Sequence, residues 1–232
     1  MGGRSAVNAP ARPRPRARRE QLSDEVAGHL RVGIMSGTLR PGTFIRLDET
    51  AAELGTSITP VREALRTLRG EGMVQLEPHR GHVVSAFTRG DIEDIFWLQA
   101  VIAGQLARSA AERITDDEID ELEHLAEAVA GAIERRDTVE VADAEFAFHR
   151  VFNRASGRIK LAWFLLHAAR YLPPHIYADD PEWGRHTVAN RRELIAALRR
   201  HDVDTVVRLT DVQFTDGAQR LTARLDELGL WT

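Results

Sequence analysis

The stretch Thr56-Ser-Ile-Thr-Pro-Val-Arg-Glu-Ala-Leu65 constrains this chain more than any other part of it. Thr59 is placed to cap a helix that opens with Pro60, a residue tolerated at the first helical position because its missing N–H has no partner there. Beyond it, Arg62, Arg66 and Arg69 recur at i, i+4 and i+7 and share one basic stripe. Val61, Ala64, Leu65 and Leu68 fall on the opposite side, where they can bury against a core. A short helix with an apolar back and an arginine front suits insertion into the major groove of DNA.

The elements around that helix are legible from punctuation and periodicity. Leu22, Val26, Leu30 and Ile34 share a helical face, ended by Ser36-Gly37 and the turn Arg40-Pro41-Gly42. Phe44–Leu47 reads as extended, and Asp48–Leu54 as a second helix with Asp48 as its cap. The third helix runs from Thr59 to Gly72, followed by extended runs Met73–Leu76 and His82–Ser85. Helix, helix, helix, hairpin is the order of a winged helix-turn-helix.

After residue 91 the pattern is helical throughout. Thr115-Asp-Asp-Glu118 is a capping box. Helices are expected over Val139–Ala155, Ile159–Leu172, 185–200 and 203–228, with Pro173-Pro174 stopping the second of these. The expected fold is mainly α: an N-terminal winged helix-turn-helix followed by an all-α antiparallel bundle. The expected boundaries are a disordered basic tail at 1–20, a DNA-binding domain at 21–86, a linker at 87–91 and a helical domain at 92–232.

Charge supports that division. Residues 1–85 carry 13 Arg against 9 acidic residues, whereas 86–232 carry 18 basic against 26 acidic. A basic first third points to the part that meets a polyanion. Cys is absent, which removes disulfides, thiolate metal sites and Cys nucleophiles. No apolar run approaches the roughly 20 residues that span a bilayer, so a cytoplasmic protein without a membrane partner is expected.

Several motifs together resemble the GntR family of bacterial transcription regulators. They are Gly37-Thr-Leu-Arg-Pro-Gly42, Leu47-Asp-Glu-Thr-Ala-Ala-Glu-Leu54, Ser57-Ile-Thr-Pro-Val-Arg-Glu-Ala-Leu65, Leu68-Arg-Gly-Glu-Gly-Met-Val74 and Arg80-Gly-His-Val-Val84. The helical remainder resembles the FadR-type effector domain called FCD, through Ala110–Thr115, Phe148-His149, Ala155-Ser-Gly157 and Asp202. The resemblance implies a homodimeric regulator, typically a repressor, on a pseudo-palindromic double-stranded operator. Arg62 is then the candidate base contact, because a guanidinium can bond guanine O6 and N7 together. Ser57, Thr59 and Arg66 are expected on phosphates, and His79, Arg80 and Gly81 in the wing. Where the family usually shows Ser-Arg-Thr-Pro, this chain has Ile58, so a charged contact is replaced by a side chain suited to a thymine methyl.

The resemblance also implies a ligand site, and in many FCD domains a divalent metal held by an Asp or Asn, the Phe-His histidine and two later histidines. Here the equivalent positions are Glu145, His149, Arg191 and Gln213, with Gln99 where an early-helix arginine is typical. Arginine has no lone pair to offer a metal. A metal-free site is therefore expected, in which Arg191 anchors the carboxylate or phosphate of a small organic acid. Glu145 is expected to pair with Arg191 or His149 when no ligand is present. A slip in register would instead bring in His186 and leave Glu145, His149 and His186 as a partial divalent-metal site, giving a metal-dependent regulator. His167, Tyr171 and His175 cluster near the Pro-Pro break, where they could line the pocket mouth. Two other classes compete: a helical-domain enzyme working through Glu, His and Arg, and a non-specific DNA binder with no effector. Since no Ser-His-Asp set or phosphate loop stands out, the expectation is a regulator and not an enzyme.

Overall fold

The computed structural model describes residues 15–171 and 180–231. Residues 1–14 of the expected basic tail and His175 lie outside that range. Two compact units emerge: one holds residues up to Leu30 with Gly42–Ser85, the other Arg31–Pro41 with Ala86–Thr232. The turn after the first helix thus groups with the helical unit.

The first helix, α1 (Pro15–Met35), belongs to the smaller unit as far as Leu30 and begins within the stretch expected to be tail. The physical reason lies in composition. Arg, Glu, Gln and Ala are good helix formers, and Pro15 is compatible with a first helical position. Next come β1 (Phe44–Ile45), α2 (Leu47–Glu53) and α3 (Ile58–Gly70), then β2 (Val74–Glu77) and β3 (Gly81–Val84). The three strands form an antiparallel sheet in the order β1-β3-β2, with Gln75 opposite Val83 and Leu76 opposite His82.

Two caps differ from the sequence reading. The residue flanking α3 is Ser57, extended at φ −89° and ψ 164°, not Thr59. Pro60 is therefore the third helical residue. It is tolerated there because the first four N–H groups of a helix have no intrahelical partner. Arg46, not Asp48, flanks α2, and Asp48 and Glu49 sit in its first turn, where carboxylates complement the helix dipole.

The apolar face of α3 forms the centre of this unit: Val61, Ala64, Leu65 and Leu68 have no exposed surface. Burying each of the three larger side chains contributes roughly 1.5–3 kcal/mol. The helix ends in a Schellman motif, with Met73 N–H donating to Leu68 O (2.9 Å) and Gly72 N–H to Arg69 O (3.1 Å). Gly72 stands at φ +76°, a left-handed conformation that favours glycine. That reversal turns the chain directly into β2, so α3 and the hairpin are held together.

The larger unit is wholly helical in its named elements: α4 (Arg89–Arg113), α5 (Asp116–Arg135), α6 (Thr138–Ala155), α7 (Ile159–Ala168), α8 (Pro181–Arg199) and α9 (Val203–Leu228). Its helix starts are written in the sequence. Thr88 with Asp91 and Thr115 with Glu118 form reciprocal capping boxes for α4 and α5. Asp137, Asp180 and Asp202 each accept a backbone N–H at the start of α6, α8 and α9. The expected linker therefore supplies the cap and first turn of α4.

Ala107, Ala110, Ile119, Leu122, Phe148, Val151, Leu194, Leu198, Val206 and Leu209 make one core shared by five of these helices. A second cluster, Ile102, Leu106 and Leu165, joins α4 to α7. The α4–α9 approach is close: a Cβ placed on Gly217 would lie 2.9 Å from the Phe96 ring. Among the described residues no helix is long and apolar enough to cross a membrane.

Candidate nucleic-acid interface and ligand site

In the smaller unit, burial of one face of α3 leaves Ser57, Ile58, Arg62, Arg66 and Arg69 exposed, with Thr59 half-buried. Arg66 has a loose ion pair with Glu63 at 3.6 Å, one turn back on the same helix. Such an exposed pair is worth about 0–1 kcal/mol, so it does not withhold the arginine from another anion. Ile58 keeps 42% of its surface, an uncommon position for a β-branched apolar side chain.

The wing is the β2–β3 turn. His79 (φ +63°) and Gly81 (φ +100°) both take the left-handed side, and Arg80 N–H donates to Glu77 O at 3.1 Å. His79 and Arg80 are thereby exposed at the tip of a tight reversal.

The larger unit contains a buried polar cluster. Arg191, on α8, is 2% exposed. Its Nη2 donates to Glu145 Oε2 at 2.7 Å and to His149 Nε2 at 3.0 Å, both on α6. Its Nη1 donates to Gln213 Oε1 on α9 at 2.8 Å. Because arginine only donates, His149 Nε2 accepts this bond and the ring proton belongs on Nδ1. Gln213 Nε2 reaches the same ring nitrogen at 3.2 Å. Beneath the guanidinium, the Phe148 ring centroid lies 4.2 Å from Cζ, in cation–π range.

The pairing governs the charge state of Glu145. Burial alone would raise its carboxyl. The Arg191 guanidinium, through its charge and its hydrogen bond, outweighs burial and brings the group down to about 2 from its ordinary 4.5. An ionised carboxylate and a permanent cation thus stand together inside the bundle.

Two buried atoms of this pair, Arg191 Nε and Glu145 Oε1, have no hydrogen-bond partner among the described residues, and neither has Oδ1 of Asn190, the residue before Arg191. A cleft opens onto the cluster, lined by His149, Asn153, Arg191, Thr210 and Gln213 and by apolar residues that include Ala103, Phe152, Leu165 and Phe214. As it stands it has room for about one water molecule.

Four of the ligand-site residues expected from sequence therefore come together: Glu145, His149, Arg191 and Gln213. Gln99 does not join them. It is fully buried, donates from Nε2 to Ala168 O at 3.2 Å, and is absent from the cleft lining. The rotation of α4 about its axis aims it at α7 instead. His186 also stands apart, with Nδ1 at 3.1 Å from Arg220 and 3.8 Å from Asp216. The register slip that would pair it with His149 does not occur. His167 stacks on Trp163 at 3.6 Å between ring centroids and bonds that residue's carbonyl.

The metal set that FCD resemblance implies does not fit these residues. Only Glu145, His149 and the weak amide oxygen of Gln213 offer donor atoms there, and Arg191 hydrogen-bonds to all three. A divalent ion would have to sit beside a buried permanent cation. Among the described residues no group of three or more His, Asp and Glu is placed to hold an ion.

Sequence reading missed Phe148 as the shelf under Arg191, and missed Phe152, Thr210 and Phe214 as lining. Helical spacing was the available signal. Phe152 stands three residues after His149, Thr210 three before Gln213, and Phe214 four after Thr210.

A winged helix-turn-helix with an exposed arginine stripe, joined to a helical domain with a buried polar cleft, defines a class: the one-component transcription regulator. Comparison with known proteins makes the assignment specific. Residues 22–84 match the bacterial regulatory proteins of the gntR family, and residues 94–214 match the FCD domain. The chain belongs to the GntR family and carries an FCD domain, and it is a DNA-binding transcription regulator, not an enzyme. It is similar to the HTH-type transcriptional repressor RspR of Escherichia coli, 24% identical over 195 residues (82% of this chain, 84% of that protein). It is similar also to the gluconate operon transcriptional repressor of Bacillus licheniformis, 26% identical over 202 residues (82% and 81%). The solved structure of E. coli McbR/YncC shares the fold, with a TM-score of 0.70 at 23% identity, covering 86% of this chain and 96% of that one.

Proposed function

We propose that this regulator binds a pseudo-palindromic operator as a homodimer and that a small organic acid in the Arg191 cleft sets its operator affinity. The observation that carries the effector half is a guanidinium 2% exposed that lines a cleft and is hydrogen-bonded by polar side chains from two other helices. Burying a cation is costly unless it is paired, and a planar fork is suited to carboxylate recognition. Metal is not needed for that recognition.

On the DNA side, Arg62 reads a base edge, Ser57, Thr59 and Arg66 hold phosphates, and His79, Arg80 and Gly81 approach the minor groove. Ile58 offers an apolar contact to a thymine methyl. Dimerisation supplies two such helices about one helical turn apart. Exposed Trp97, Leu98 and Val101 on α4, and Ile159, Trp163 and Phe164 on α7, provide an apolar face for the second copy.

The test begins with selection of an operator from randomised duplex DNA. Fluorescence anisotropy then measures affinity with and without any organic acid that raises the melting temperature. A shift in operator Kd on adding the acid supports the proposal. An operator Kd that no stabilising acid moves would contradict it.

A further inference from the structure

Resting on the effector reading above, we infer that the ligand of the Arg191 cleft is a small zwitterion, an α-amino acid or a close derivative, whose carboxylate takes the Arg191 fork and whose ammonium takes Glu145. The site is not a lone cation awaiting an anion. Arg191 is already neutralised by an ionised Glu145 at 2.7 Å. A plain carboxylate that displaced Glu145 from Arg191 would leave two negative charges beside one cation, with the Glu145 side chain only 15% exposed. Stranding one member of a buried ion pair is strongly unfavourable. A plain amine would strand Arg191 in the same way.

A zwitterion inserted between them leaves neither charge alone. The orphan atoms fit that insertion. Arg191 Nε is a buried donor and Glu145 Oε1 a buried acceptor, each without a partner among the described residues. A ligand carboxylate supplies the missing acceptor and an ammonium the missing donor. An ammonium has three N–H groups to place. Glu145, His149 Nε2 and Gln213 Oε1 all accept, and all three lie within 3.0 Å of the Arg191 guanidinium. Ala103, Phe152, Leu165 and Phe214 add an apolar wall against which an aliphatic side chain can pack. With space for about one water as it stands, the cleft must widen to admit the ligand, and Glu145, which lies behind Arg191 and not in the cleft lining, is reached as the Arg191 guanidinium moves.

The experiment is a thermal-shift and calorimetric screen of the full-length protein against the coded L-amino acids. For each that binds, the screen adds the acid lacking the amino group and the amine lacking the carboxylate. Plain hydroxy acids, dicarboxylic acids and sugar acids occupy the same plate. The expected result is that at least one amino acid binds and both of its halves bind at least about tenfold more weakly, the loss expected for one missing hydrogen-bonded charge. Glu145→Gln should reverse the order, weakening the amino acid and strengthening the matched plain acid. The wild-type comparison stands by itself if that variant fails to fold. A plain acid that binds wild type as well as its amino counterpart overturns the zwitterion inference and leaves the acid effector in place. Silence from both sets overturns both.

Discussion

Replacing Arg191 by leucine tests whether the buried pair is as tightly coupled as the geometry indicates. The substitution removes the cation but leaves Glu145, whose side chain is 15% exposed and whose carboxyl lies at about 2 in the native protein. Removing one partner of a buried pair typically costs about 3–5 kcal/mol. Linkage gives a similar figure: a carboxyl moved from 4.5 to about 2 carries on the order of 3 kcal/mol of stability. The pH dependence has a definite sign. In the native protein the group's pKa is depressed, so its contribution is complete above about 4.5 and is lost as pH falls towards 2. In the variant, burial without Arg191 raises the same carboxyl. The folded state then takes up a proton before the unfolded chain does, and the variant gains stability as pH falls. The deficit should therefore be largest near pH 7 and clearly smaller near pH 5. Adding Glu145→Gln removes the stranded charge and should recover a good part of the loss at about pH 7. Urea unfolding followed by tryptophan fluorescence is the assay, because all 4 tryptophans (Trp97, Trp163, Trp183 and Trp231) lie in the helical unit. A deficit below about 1 kcal/mol, an equal deficit at both pH values, or a double variant as unstable as the single one would refute the reasoning.

Three further outcomes are expected. Arg62→Ala should cost roughly 1–3 kcal/mol of specific operator binding in an anisotropy titration, while non-specific duplex binding changes far less. Trp97→Glu, on a side chain 66% exposed, should leave the helical unit folded but yield a monomer in sedimentation velocity; an unchanged dimer would remove the α4–α7 face from consideration. Gly72→Ala puts a Cβ on a residue at φ +76° with open space around it, so the cost is conformational, about 1 kcal/mol, visible as a lower far-UV dichroism melting temperature.

Local physics made much of this protein readable in advance. Apolar spacing on α3 identified the residues that turned out to have no exposed surface, and the Thr115–Glu118 box and the Asp202 cap were plain in the chain. Asp202 opens α9, and the FCD resemblance, not local pattern, gave Arg191 and Gln213 as the positions eleven residues to either side of it; the structure joins the two by a hydrogen bond. What local pattern could not supply was rotation and exact start. Pro60 is tolerated anywhere in a first turn, so it did not distinguish Ser57 from Thr59 as the flanking residue. Gln99 and His186 depend on how α4 and α8 are turned about their axes by packing against neighbours, and both face away from the cluster. Phe148 reads as one more apolar core position until Arg191 is seen lying on it.

The most direct measurement joins the two halves of the molecule: operator Kd for the full-length protein, titrated at saturating concentration of the ligand that binds the Arg191 cleft. Coupled regulators move affinity by about 5–150-fold, and a change in that range, abolished in a folded Arg191→Leu variant, is the predicted result. An operator Kd that stays the same with the cleft fully occupied would contradict the account.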